Sequence, residues 1–181
     1  MTRSKGAHLA ARFFGALSSA TPRLEDVAWV ETILTADEFE MWQHQPNHDR
    51  RHAIAVGRGV QSELAGTAFA DDPRWLACAL LHDIGKLDAR LGVYGRVVAT
   101  MSGAVGGRSM ADAWSERRGF TRRVGLYLRH PELGGVRIRV AGGAPEVARW
   151  AEVHHEKASE RPVDLGIPDA VVAALDTCDN D

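Results

Sequence analysis

Seven consecutive apolar residues, Trp75-Leu76-Ala77-Cys78-Ala79-Leu80-Leu81, run straight into the ionisable pair His82-Asp83. Asp72-Pro73 stands just ahead of them, an N-cap acceptor followed by proline at a first helical position. A helix that begins there is apolar nearly all round and has no face to give to water. The rest of the chain must enclose it, so the spacing predicts a central, buried helix.

The enclosing segments also read as helices. Apolar residues recur at spacings of three and four, and strand alternation is almost missing. Over 24–34, Val27, Val30, Ile33 and Leu34 share one side. Thr35 followed by Glu38 forms a capping-box pattern that opens a short helix through Phe39 and Trp42. Pro46-Asn47 breaks the chain, and Ala53, Val56, Val60 and Leu64 mark the inner face of the next helix. Further helices are expected over 96–101, 108–117, 122–129 and 133–140, from Pro145 through His154, and from Pro168 to the end. The run 136–140 alternates apolar and basic residues but is read as helix with its neighbours. Gly103, Gly106-Gly107, Gly134-Gly135 and Gly142-Gly143 are read as turns. Trp42, Trp75, Trp114 and Trp150 fall in the expected helices and are read as core.

The fold class expected is all-α, a single compact helical bundle. Residues 1–45 would be N-terminal helices packing on the core, and residues 46–181 would carry the chemistry. The 181 residues suffice for one hydrophobic core. A formal net charge of −2, with no basic run, argues against binding a nucleic-acid polymer but leaves room for a small phosphorylated ligand. Residues 9–17 are apolar but are interrupted by Arg12, with His8 just ahead, so they read as an amphipathic helix rather than a secretion signal. No stretch approaches the ~20 apolar residues of a membrane span. Cys78 and Cys178 form no CxxC pair and no disulfide framework, which fits a reducing cytoplasm.

Metal-type ligands concentrate at His48/His52, His82-Asp83, His130, His154-His155 and Asp176/Asp179. Imidazole with carboxylate suits divalent first-row ions, and carboxylates can bridge two of them. Burying His82-Asp83 behind four apolar residues is costly without a partner, and a metal supplies one. A helix end emerging into water would need no metal. His8 and His44 read as ordinary surface residues, and His48 as either a helix-capping surface histidine or an additional ligand.

Leu81-His82-Asp83-Ile84-Gly85-Lys86 resembles the signature of the HD-domain superfamily of helical metal-dependent phosphohydrolases. Arg51-His52-Ala53-Ile54 resembles its first-histidine segment, and His130-Pro131-Glu132-Leu133-Gly134 resembles the third-histidine motif of the subset with extra ligands. Residues 145–156, ending His154-His155-Glu156, are similar to that subset's "HHE" helix. Leu175 with Cys178-Asp179 is similar to the closing Leu-x-x-Ala-Asp segment. The segments occur in order across about residues 50 to 179.

The resemblance implies that His52, His82, Asp83 and Asp179 hold one metal, and that His130, His154 and His155 hold a second, with Asp83 as bridge. Asp179 matches the family better than Asp176. It also implies two divalent ions (iron or manganese, with zinc, magnesium, nickel or cobalt as alternatives) and hydrolysis of a phosphoester, a nucleotide or other small phosphorylated metabolite. Asp83 and Lys86 would act in catalysis, with Lys86, Arg51 and Arg129 as phosphate contacts; Arg50 and Arg96 are further cations nearby. Lys157-Ala158-Ser159-Glu160-Arg161-Pro162 follows the paired histidines in place of the Gly-Tyr-Pro segment of the HD-GYP group, so a cyclic dinucleotide substrate is not expected. Two alternatives remain: a diiron oxygenase resembling myo-inositol oxygenase, and a metal-containing regulatory protein of low turnover. Oligomeric state is left open.

Overall fold

The computed structural model describes residues 20–179, so the amphipathic segment at 9–17 and His8 lie outside the described residues. Every regular element among them is helical: α1 (Leu24–Glu31), α2 (Ala36–Gln43), α3 (Asn47–Glu63), α4 (Pro73–Leu81), α5 (Lys86–Ala89), α6 (Val93–Ser115), α7 (Gly119–Leu128), α8 (His130–Val140), α9 (Pro145–Val153) and α10 (Asp169–Cys178). No helix of the described residues is long and apolar enough to cross a membrane.

The apolar run forms α4, with Asp72 accepting from the Arg74 amide as N-cap and Pro73 at the first position. Every residue from Trp75 to Leu81 is buried. Helices α3, α9 and α10 pack around α4. Removing Leu80 and Leu81 from water contributes roughly 2 kcal/mol each. Ala53, Val56, Val60 and Leu64 are buried on α3 as their spacing required, and Val30, Leu34 and Trp42 bring α1 and α2 onto the same core. The Thr35–Glu38 capping box forms in both directions. Trp75 and Trp150 are also buried, while Trp114 packs half-buried on a smaller cluster of Ala89, Leu91, Ala99 and Val124 under the α6–α7 hairpin. Cys78 is fully buried; Cys178 is only half-buried and rests against Gly59 of α3.

Two expectations about glycine need correction. Residues 96–117 do not form two helices split at Gly103 and Gly106-Gly107; the helix α6 runs unbroken through all three glycines. Glycine costs a helix only about 1 kcal/mol per residue, and α6 recovers more by packing along α7. Gly125 of α7 lets the two backbones meet at Trp114–Ser115, where a Cβ would collide. Gly134-Gly135 is likewise not a turn but lies inside α8. A side chain at Gly135 would strike Glu152 of α9, and Gly134 faces the Gly85 backbone. These glycines are sites of close approach between helices, whereas Gly142-Gly143 is a turn, with Gly142 at φ 72°.

After α4 the chain does not simply stop at Gly85. It turns through His82–Gly85 into the four-residue helix α5, whose Lys86 opens it. A Cβ on Gly85 would lie 2.6 Å from the Gly134 nitrogen and closer still to the His130 carbonyl oxygen. Gly85→Ala is therefore expected to destabilise the protein by at least about 3 kcal/mol, the upper end for overpacking, because the obstacle is backbone. Gly134→Ala meets only 3.3–3.6 Å contacts, and the helix-propensity gain of about 1 kcal/mol offsets them, so it should fall near neutral. Chemical denaturation of the two variants checks both values.

Candidate metal centre

Four helices direct their C-terminal ends at one point. His82 is the C-cap of α4, His154 the C-cap of α9, Asp179 the C-cap of α10, and His130 follows Arg129, the C-cap of α7, as the first residue of α8. The last carbonyls of a helix lack backbone donors. Here imidazoles supply them: Nδ1 of His82, His130 and His154 donates to the carbonyl three residues earlier, on Ala79, Tyr127 and Ala151, at 2.7, 2.7 and 2.9 Å. A proton on Nδ1 leaves Nε2 as a lone pair facing inward, the arrangement that orients histidine as a metal ligand. The negative ends of the α4, α9 and α10 dipoles favour a cation at the same place, while at His130 the end of α7 and the start of α8 offset each other.

The rings form a continuous arc. Centroids are 5.3 Å apart for His52–His82, 5.1 Å for His82–His154, 5.6 Å for His154–His130 and 5.0 Å for His130–His155. Asp83 lies inside this arc with its two oxygens facing different histidines. Oδ2 is 3.4 Å from His82 Nε2 and contacts the Lys86 ammonium, whereas Oδ1 is 3.3 Å from His130 Nε2 and 3.6 Å from His154 Nε2. Asp179 closes the arc, with Oδ1 3.3 Å from His52 Nε2 and Oδ2 3.5 Å from His82 Nε2. Two donors each about 2.1 Å from one ion, at tetrahedral to octahedral angles, lie about 3.0–3.4 Å apart, so these separations fit ligands around a metal.

Unsatisfied atoms make the stronger test. Nε2 of His52, His82 and His154 and one oxygen each of Asp83 and Asp179 are buried without a hydrogen-bond partner. Such groups cost about 1–3 kcal/mol apiece when left unpaired, and a cation would satisfy all five. Three overlapping sets have ligand atoms close enough to hold a metal ion: Asp83, His130, His154 and His155; His52, His82 and Asp83; and His82, His154 and Asp179. All seven sequence-expected ligands thus meet in space.

The remaining expected residues are placed differently. Lys86 is mostly buried against Asp83, with its ammonium over the Tyr127 ring at 6.0 Å. Arg96 is not a free cation: it forks onto buried Asp49 at 2.6 and 2.7 Å. Arg129 neighbours His130, but its guanidinium engages Ser115, Asp112 and Glu132. Arg51 donates to the Ala20 carbonyl, and Arg50 to Asn47, over the Trp42 ring. His48 is not a surface cap; it is mostly buried in the first turn of α3, 3.3 Å from Asp49. His44 is exposed, as expected, with Nδ1 at the Glu40 carbonyl. Asp176 and Asp179 do not act as alternatives on one face. Asp179 has left helical geometry at φ −94°, ψ 71°, and Asp176 is held by Arg161. The sequence reading missed Asp49 as the anchor of Arg96 and missed Arg161 altogether; lone charged residues in loops or first turns carry no periodic signal.

Burial pushes His130, His154 and His155 down to about 4, and lowers His48 as well. At His82 burial works the same way, but the carboxylates of Asp83 and Asp179 outweigh it and raise the ring to about 9. Burial would raise Asp83, yet Lys86 and His82 hold it well below the usual carboxylate range. Groups held neutral in the folded state lose stability as pH falls, because only the unfolded chain takes up their protons; His82 does the opposite. The melting temperature of the metal-free protein is therefore expected to peak near pH 6.5. It should fall towards pH 4 as the unfolded histidines protonate, and fall more gently towards pH 9 as His82 loses its proton. Zinc displaces that His82 proton, so its stabilisation should be larger at pH 8 than at pH 5.5. Thermal melts with and without zinc across this range check the profile.

No family model matches the chain, and neither a curated protein nor a solved structure matches it.

Proposed function

We propose that this chain is a metal-dependent phosphohydrolase of the HD type, acting on a small phosphorylated substrate such as a nucleotide. The observation that carries the reading is Asp83. Its carboxylate is buried, and its two oxygens face two different histidine sets. On this reading His52, His82, Asp83 and Asp179 hold one divalent ion, and Asp83, His130, His154 and His155 hold the other. Iron or manganese fits the mixed nitrogen and oxygen donors. The ions would supply Lewis-acid polarisation of a phosphoryl group and a water made acidic enough to attack near neutral pH.

Charge supports an anionic substrate. With every imidazole in the neutral form that binds a metal, His82 included, Asp49, Asp83 and Asp179 against Lys86 and Arg96 leave one net negative charge. Divalent ions reverse that sign and attract phosphate. Lys86 is the first choice for a phosphate contact: Asp83 overcomes its burial and keeps the ammonium protonated. Arg51 and Arg129 are secondary contacts that would have to exchange their present partners. The two free cysteines are compatible with a reducing cytoplasm.

Metal analysis of anaerobically purified protein, followed by a turnover screen on phosphomonoesters, nucleotides and cyclic nucleotides, tests the proposal. Manganese-supported phosphate release without oxygen uptake is expected. His82→Ala and Asp83→Asn should each lower metal content and cut turnover at least about 10³-fold. If His82→Ala keeps both metal and turnover, the metal reading fails. Oxygen-consuming turnover with iron alone would replace hydrolysis by oxygenase chemistry.

A further inference from the structure

Arg161 stands in the irregular segment between α9 and α10, with its side chain only 7% exposed. All three of its guanidinium nitrogens are engaged. Nη1 and Nη2 each donate to a different oxygen of Asp176 at 2.8 Å, a two-pronged grip on α10. Nε and Nη2 donate at 3.3 Å to the carbonyls of Val153 and His154, where α9 ends. The same group lies 4.9 Å from the centre of the buried Trp150 ring.

Two of these partners belong to ligand-bearing helix ends. His154 is itself a candidate ligand, and Asp176 stands one turn before Asp179 on α10. Helices α9 and α10 both pack on α4, and Arg161 ties their C-terminal ends to each other directly. A guanidinium is a rigid plane with five donors at fixed angles, so it fixes the separation of the groups it joins. We propose that Arg161 is a positioning residue: the Arg161–Asp176 latch sets the distance between His154 and Asp179, one ligand from each of the two ions, and thereby the affinity of the paired site. The inference rests on the metal reading above, and it gives Asp176 a role as anchor of the latch rather than as a ligand.

A lysine at this place offers one point-like ammonium, which cannot grip both Asp176 oxygens and cap both α9 carbonyls in that plane. Arg161→Lys is expected to weaken zinc binding by about 10- to 100-fold, the range for partners that orient metal ligands, and to alter the visible spectrum of the cobalt-loaded protein. Asp176→Asn, which leaves the carbonyl caps intact, should weaken zinc binding in the same direction by less. It carries the test if Arg161→Lys fails to fold. Arg74→Lys breaks a comparable fork, onto Asp72 and Glu146, at the far end of α4, and should leave zinc affinity within about twofold because distant sites act independently. Competition titration with zinc and absorption spectra with cobalt are the readouts. Unchanged affinity and spectrum in Arg161→Lys and Asp176→Asn, or an equal loss in Arg74→Lys, overturns the latch while leaving the metal site standing. A parent protein that binds neither zinc nor cobalt overturns the metal reading, and the latch with it.

Discussion

A carboxylate cannot stay ionised in a protein interior unless something answers its charge, and Asp83 sits just past a helix that is buried from Trp75 to Leu81. Lys86 answers part of it, and the imidazoles of His82, His130 and His154 surround the rest. The arrangement is only partly balanced, because Asp83 Oδ1 and the Nε2 atoms of His82 and His154 keep no hydrogen-bond partner. Much of the fold around α4 is the scaffold that holds these groups within a few ångströms of one another.

The scaffold works through an ordinary property of helices. Each helix leaves its last carbonyls without donors, and in α4, α7 and α9 an imidazole Nδ1 fills one of them. The same hydrogen bond that finishes the helix selects the tautomer and aims Nε2 at the centre. One local rule, used three times, turns helix ends into candidate ligands whose orientation the helices themselves fix. Bringing the ends together requires backbones to approach more closely than side chains allow. Gly85 against the His130 carbonyl meets that requirement where α5 begins beside α8, and Gly59 leaves room for the Cys178 side chain where α3 packs on α10.

The charged residues divide by how they are held. Asp49 with Arg96, and Asp176 with Arg161, form forked pairs beside the centre and stiffen it. Lys86 alone among the expected cations touches the central carboxylate. Arg129, next to His130 in sequence, spends its guanidinium on Ser115, Asp112 and Glu132, so adjacency along the chain did not translate into adjacency at the site.

Periodicity and capping residues were enough to establish an all-helical chain, the burial of α4 and the inner face of α3, because these depend on local geometry and on apolar area that must leave water. The order of His52, His82-Asp83, His130, His154-His155 and Asp179 was legible for the same reason: distinct residue types mark themselves. The meaning of Gly134-Gly135, the continuity of α6 and the latch at Arg161 were not legible. Each depends on what another helix places opposite the residue, and a neighbour distant in sequence leaves no trace in local spacing. The chain itself named its candidate ligands and the helices that carry them; only tertiary packing decided which of their atoms face one another.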